Sequence, residues 1–583
     1  MNNTRLLFAF ATAALAYMLL TQWQLEHTPP AAAPAPAPAA APMANTASTP
    51  TDAASELPSQ NTAAAVAAVP DAGTQAAPSA DAQVPKLTDP QMPEGASVKI
   101  DTDVFELTID LVGADISTAK LKTYTVSLTD KTPVALVERN NVHWIKAQTG
   151  LIAQSGAAPN HLATYQAPAA AALSLQNGQN TLEVPFTWTD ASGVTVRKIY
   201  RLERGSFAIG VRYEITNASP APLTLFAYRQ LQQAEPATPE STFFASPAGL
   251  AYVGSVIYSP EERFQKLPSG DFVDEPLKKS FAGGWMALLQ HHFFVSWIPD
   301  KTEINEYSTA VLPATTSSAN AYLTRQTAAP QVVAAGASLV LPATLYIGPK
   351  LQESLNALAP GLAKVVDYGY VTFLSEPLFS LLNWLHGVVG NWGWAIILVV
   401  LILKALFYKL SEAQYRSGAK MKAIAPKIAE LKKRFPDDNQ KFGMAQMELF
   451  KKEKVNPLAG CFPILIQIPV FFGLYWVLAE SVEMRQAPFL FWIKDLTASD
   501  PYFVLPVLNG LTMFLTSKMT PMTGMDPMQQ KIMTYMPLIF AVMMAFFPAG
   551  LVLYWTFNGV LGLAQQYYIT RKIENETALK NAR

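Results

Sequence analysis

NWGWAIILVVLILKALFYKL, residues 391–410, has the length and apolarity of a membrane helix, with a charge set inside it. Nine unbroken apolar residues, Ala395 to Leu403, run into Lys404, and four more apolar or aromatic residues precede Lys409. At 1.5 Å of rise per residue, Lys404 lies roughly 18 Å along the helix from Trp392, inside a hydrocarbon core about 30 Å thick. A lysine at mid-helix costs about 2.5–3.5 kcal/mol, so its ammonium must face protein or water. Two arrangements satisfy that demand. The helix can tilt and let Lys404 snorkel, as Lys409 does at the end, or Lys404 can line a wet cavity inside the membrane. We take the cavity as the expectation.

Outward from this stretch, the composition calls for a mixed protein. Half of the 583 residues are hydrophobic and 15% are charged, with mean hydropathy +0.16 and formal net charge −1. That is too apolar for an ordinary soluble chain and too polar for a pure membrane bundle. The single cysteine, Cys461, allows no disulfide within the chain and reads as a small packed residue.

Towards the N-terminus the chain divides by composition. Residues 1–26 hold an apolar run from Leu6 to Trp23 behind Arg5, an uncleaved anchor whose basic start keeps the N-terminus cytoplasmic. Residues 27–96, rich in Ala and Pro, have no periodic apolar face and read as a disordered tether. From 97 to 350 the chain alternates apolar and polar residues, as in NTLEVPFTWTD (180–190), with turn signals such as Ala191-Ser192-Gly193. This predicts a large antiparallel β-sandwich on the far side of the membrane. His291-His292 is its only adjacent histidine pair, and in the apolar run HHFFVSW it reads as a core or edge pair rather than a ligand set. Residues 351–390 read as helices. Glu376 to Val389 places Leu378, Phe379, Leu382, Leu385 and Val389 on one face, an amphipathic helix in the outer interface.

Towards the C-terminus, residues 391–583 predict five spans, which with the anchor make six and leave both termini cytoplasmic. Residues 411–456 hold eleven Lys or Arg against six acids, with a turn at Pro436-Asp437-Asp438-Asn439. This is a helical hairpin on the cytoplasmic side. Its charge marks topology; Lys432, Lys433 and Arg434 read either as part of that signal alone or as a surface that also docks a partner such as a ribosome. Later spans are read at Leu458–Ala479, Tyr502–Ser517, Ile532–Phe547 and Leu551–Ile569. They carry Gln467, Asn509, Thr512 and Asn558 as polar groups. The fourth and fifth, at about 16 residues, fall below the usual 20. Met519, Met522, Met525 and Met528 cluster between them. They suit either a surface that accepts varied apolar segments or an interface where Met stands in for Leu.

No reaction chemistry accompanies this layout. The five later spans contain no Asp or Glu, and no nucleotide loop, metal motif or nucleophile elbow has a supporting context. Neither an enzyme nor a cofactor is predicted.

Three stretches carry a resemblance: EKVNPLAGCFPILIQIPVFFGLYWVL (453–478), DPMQQKIMTYMP (526–537) and FPAGLVLYW (547–555). They resemble the YidC branch of the YidC/Oxa/Alb membrane protein insertases of Gram-negative inner membranes. The order of anchor, exported β domain, interfacial helix and five core spans is similar as well. The resemblance implies insertion and folding of membrane proteins through a hydrophilic groove open to cytoplasm and lipid and closed towards the periplasm. It implies a supersandwich β domain, similar to sugar-binding folds. Nascent membrane proteins and membrane lipids are the implied partners, with the Sec translocon (SecYEG, SecDF) and the ribosome as further candidates; sequence-specific nucleic-acid binding is not implied. Lys404 stands where the family's groove arginine is expected, keeping the charge but losing the planar fork. Tyr554, beside Trp555, matches the substrate-contacting aromatic. Other classes remain open to the same sequence: an envelope glycan-binding protein on membrane anchors, or a lipid or solute transporter.

Overall fold

The computed structural model describes residues 96–138, 144–170, 172–234, 251–312, 320–435, 438–453, 462–519 and 527–581. The expected anchor (1–26) lies outside the described residues, as do the tether apart from residue 96, Cys461, Met522 and Met525.

Strands from Ser97 to Pro349 form sheets of five, six and eight strands among the described residues. The pairing is antiparallel apart from Ala172–Ser174, which runs parallel to Ser97–Asp101. Ala208–Asn217 shows why the sequence folds this way: Ile209, Val211, Tyr213 and Ile215 are buried and alternate with less buried neighbours, the period-two pattern of a one-sided strand. Trp285–Leu289 and Phe293–Pro299 break that alternation, being buried at every position. The reason is that their sheet is covered on both faces. Met286, Leu288, Val295 and Trp297 face the interior of the sandwich, whereas Trp285, Ala287, Leu289 and Phe294 belong to a second core shared with the helices.

That second core joins the β domain to the helical region. After Pro349 come α1 (Gln352–Leu358) and a short passage in which Leu355, Leu362, Val365 and Tyr368 pack on the sheet. Trp285 donates its indole N–H to the Pro360 carbonyl at 3.1 Å and stacks on Tyr258. Gly361 sits beside this stack with φ +70°, and a side chain there would strike the Tyr258 ring, so glycine is required twice over.

The helical region continues with α2 (Thr372–Val389), α3 (Trp392–Leu406), α4 (Tyr408–Ala423), α5 (Ala425–Arg434) and α6 (Asn439–Lys452). It ends with α7 (Phe462–Glu480), α8 (Val504–Met519), α9 (Pro527–Met544) and α10 (Ala549–Asn581). In α2 the buried face is Ser375, Leu378, Phe379, Leu382 and Leu385, while Phe373, Trp384 and Val388 are exposed. Val389, expected on the apolar face, is exposed instead, at the point where Gly390 turns the chain with φ +67°.

The stretch 391–410 is not one helix. Asn391 caps α3, accepting from the Trp394 N–H at 3.2 Å, but the chain bends by 64° at Phe407 into α4. Among the described residues no single helix is long and apolar enough to cross a membrane by itself; α3 and α4 reach that length and apolarity only when taken jointly across the bend. The basic hairpin comprises α4, α5 and α6. Ile424 and Ile428 pack with Met421, Phe442, Leu449 and Phe450, and a Lys427–Glu453 pair at 2.7 Å bridges its arms.

Candidate functional site

The expected groove residues gather around α10. Tyr554, Asn558, Gly562 and Gln565 or Gln566 recur at helical spacing and so form one stripe along it. Three neighbouring helices, α3, α7 and α8, bring a polar residue to it. From α3, Lys404 reaches Gly562: a β-carbon there would lie 3.3 Å from the Lys404 Nζ, so the missing side chain makes room for the ammonium. From α7, the Gln467 side chain hydrogen-bonds Tyr554. From α8, Thr512 packs against Gly559, where a β-carbon would stand 2.5 Å from its hydroxyl. Thr512 also donates to the Asn509 carbonyl at 2.8 Å.

This seam is under-satisfied. Asn509 is buried with its Nδ2 unpartnered, and the side-chain oxygens of Gln565 and Gln566 are likewise buried without a hydrogen-bond partner. A polar side chain is costly to bury in an apolar helical core, so amides at these positions make the seam the polar strip of that core. Nearby ion pairs link Glu412 to Lys409, Arg416 and Lys572, and Glu576 to Arg416. Lys404 takes part in none of these.

The aromatics differ in setting. Tyr554 is buried, 3% exposed, and faces Gln467 rather than an open surface. Half-buried Trp555 stacks on Phe540 of α9 and meets Phe471 of α7 edge-on, with centroids 4.5 and 4.8 Å away. Lys432, Lys433 and Arg434 are exposed in the last turn of α5 and lie apart from the seam. Met519 is half-buried at the end of α8; Met528 is the second residue of α9, and its side chain lies outside the described residues.

Sequence reading missed two sites. One is the Glu412 cluster that ties α4 to α10; its spacing with Arg416 (i, i+4) was a visible signal. The other joins the β domain to the end of α7, where buried Lys350 and Glu480 approach within 3.8 Å. His291, expected in the β core or at an edge, points there and donates its Nε2–H to the Ala479 carbonyl at 2.9 Å. Burial and the Lys350 charge hold His291 down to about 4, so it stays neutral. No group of three or more metal-ligating side chains occurs among the described residues.

Comparison with known proteins accounts for both halves of the chain. Residues 97–381 match the family described as YidC periplasmic domain, and 384–576 match the family described as 60Kd inner membrane protein. The membrane protein insertase YidC of Thioalkalivibrio sulfidiphilus is 46% identical over 490 residues, covering 83% of this chain and 86% of the relative. That of Xanthomonas campestris pv. campestris is 41% identical over 578 residues, 98% of each. Among solved structures, an active YidC insertase with its first transmembrane domain resolved matches at 18% identity and TM-score 0.39, over 82% of this chain and 93% of that one. The assignment rests on the sequence relatives. The chain belongs to the YidC family of membrane protein insertases, inner-membrane proteins with a periplasmic domain.

Proposed function

We propose that the seam around α10 is the surface on which this insertase receives the hydrophilic part of a nascent membrane protein. A polar tail entering a bilayer loses its hydration, at a cost of several kcal/mol for each unpaired polar group. A row of amides beside a lysine that pairs with no acid among the described residues shortens that low-dielectric path. Water held there by Asn509, Asn558, Gln565 and Gln566 keeps the tail partly solvated. Lys404 attracts acidic tails more strongly than it would in bulk water. The client's apolar segment then leaves between short helices into lipid, and burial of that segment drives the transfer. The observation that carries the reading is the Lys404 ammonium lodged at Gly562, on the same helix and one turn from Asn558, Gln565 and Gln566.

In the same reading the chain crosses the inner membrane six times, with both termini cytoplasmic and the β domain periplasmic. The spans follow α3, α7, α8, α9 and α10, preceded by the N-terminal anchor. The groove opens to the cytoplasm and lipid. The exposed Lys432, Lys433 and Arg434 face the cytoplasm, where a ribosome or the Sec translocon can dock. The test is photocrosslinking during synthesis of a single-span client. A crosslinker at Asn558 or Gln565 is expected to capture the client, whereas one at exposed Val507 of α8 captures lipid. Equal client capture at both places would overturn the groove.

A further inference from the structure

The end of α7 is joined to the β domain through charges that have no business in a simple packing interface. Glu480 is the last residue of α7, and Lys350 follows the last strand, Ser338–Pro349. Both are buried, at 1% exposure each, and His291 lies 3.7 Å from the other Glu480 oxygen. Lys350 is itself fixed by its backbone N–H on the His292 carbonyl at 2.9 Å. Burying ions costs more than packing apolar groups of equal size, and buried polar groups are best attested where they fix one register.

What this register holds is the segment Ser481–Asp500. Arg485 donates to the Thr125 and Val126 carbonyls at 2.6 and 2.8 Å, and Gln486 donates to Thr125 O at 2.9 Å. From there the segment reaches the remaining helix ends. Asn391 at the start of α3 donates to Pro488 O at 3.1 Å. Asp500 accepts from the Leu505 N–H of α8 at 2.8 Å, and Ala549 and Gly550 of α10 donate to Ala498 O and Leu496 O at 2.7 and 2.8 Å. One loop thus binds the ends of four helices that carry the seam. Gln486 and Phe491 within it hold φ of 57° and 53°, left-handed values that non-glycine residues keep only where their surroundings impose them.

We propose that Lys350 and Glu480, with Arg485 and Gln486 on Thr125, are positioning residues by which the β domain clamps the 481–500 loop across the helix ends and keeps the seam shut on that side. The proposal rests on the groove reading for what is shut, but the clamp itself can be tested apart from it.

The full-length protein in nanodiscs is compared with Glu480→Gln, Lys350→Met, the Glu480→Gln/Lys350→Met double variant and Arg485→Ala. Two readouts are taken: hydrogen exchange of the Ala487, Ile493 and Leu496 amides, and labelling of Asn558→Cys by an impermeant maleimide from the β-domain side, in a Cys461→Ser background. Each single change is expected to speed both by about tenfold or more, with the charge-free double variant recovering most of the loss, because it leaves no buried ion unpaired. Melting of the β domain, followed in parallel, should stay within the wild-type range for Arg485→Ala and for the charge-free double variant, the two that leave no buried ion unpaired; a merely structural defect would lower it there without exposing Asn558→Cys. If the buried-charge variants do not accumulate, Arg485→Ala, at a half-buried contact, carries the test. Unchanged exchange in the variants that fold overturns the clamp. Faster exchange without labelling leaves the clamp standing and overturns the groove it was said to close.

Discussion

Lys198→Met is the sharpest probe of how the β domain is held together. Lys198 is wholly buried, with Nζ 2.5 Å from Asp115 Oδ1, 2.9 Å from Gly113 O and 3.5 Å from Thr149 O. The rings of Tyr200 and Tyr213 lie 5.5 and 5.8 Å from it. Removing one partner of a buried pair strands the other, at about 3–5 kcal/mol. In a domain of this size that is a fall in Tm of about 6–20 °C, at about 2–4 °C per kcal/mol. The pH dependence identifies the cause. Burial outweighs the pairing with Lys198 and raises the Asp115 carboxyl from 3.8 to about 6. A carboxyl raised on folding binds more protons in the native state, so its contribution is full below about pH 4 and is lost as pH climbs past about 6. Without Lys198 the carboxyl rises further, and at pH 5 it is neutral and cheap to bury. The deficit should therefore be largest at pH 8 and smaller at pH 5, and Lys198→Met/Asp115→Asn should recover more than half of it at pH 8. Thermal unfolding of the full-length protein in detergent, read by trypsin resistance of the β domain, measures this. An equal deficit at both pH values, with no recovery in the double variant, would show that the lysine acts through its volume alone.

Other consequences are simpler to check. Trp285→Ala empties a buried site between sheet and helices, costing about 3–5 kcal/mol, and should make the 351–368 passage cleavable by protease before the β domain melts. Gly559→Leu must force α8 from α10 at Thr512, with an overpacking cost of about 1–3 kcal/mol, so the detergent-solubilised protein should aggregate at a lower temperature. Glu412→Gln should change stability by less than about 1 kcal/mol, and by nothing measurable in high salt, because its partners are exposed cations; a large loss in thermal scans would mean the cluster is structural.

The sandwich was legible in the sequence because one-sided strands write their burial as alternation, as Ala208–Asn217 does. The strands Trp285–Leu289 and Phe293–Pro299 hid their second contact, since a continuous apolar run does not say what covers its far face. The polar seam was largely legible too. Lys404, Gln467, Asn509, Thr512 and Asn558 stood out as polar groups in apolar stretches, and the structure gathers them by way of Gly559 and Gly562, whose role no spacing announces. Tyr554 lies on the same stripe, buried against Gln467. The break at Phe407 was not legible, because apolar residues continue past it and no proline or glycine marks it. Nor was the Lys350–Glu480 contact, made between residues far apart in the chain.

If a positive charge in the seam receives acidic tails, client insertion must depend on it. Proteoliposomes carrying wild type, Lys404→Arg or Lys404→Met are given two single-span clients that differ only in an acidic or a neutral translocated tail. One carboxylate about 8 Å from the ammonium, at an effective dielectric near 20, gains about 2 kcal/mol, or roughly thirtyfold in rate. Methionine is expected to slow the acidic client by about that factor while the neutral client changes little, and arginine to preserve both. If methionine inserts the acidic client as fast as wild type, or slows both clients equally, the charge at Lys404 does not select the tail and the claim fails.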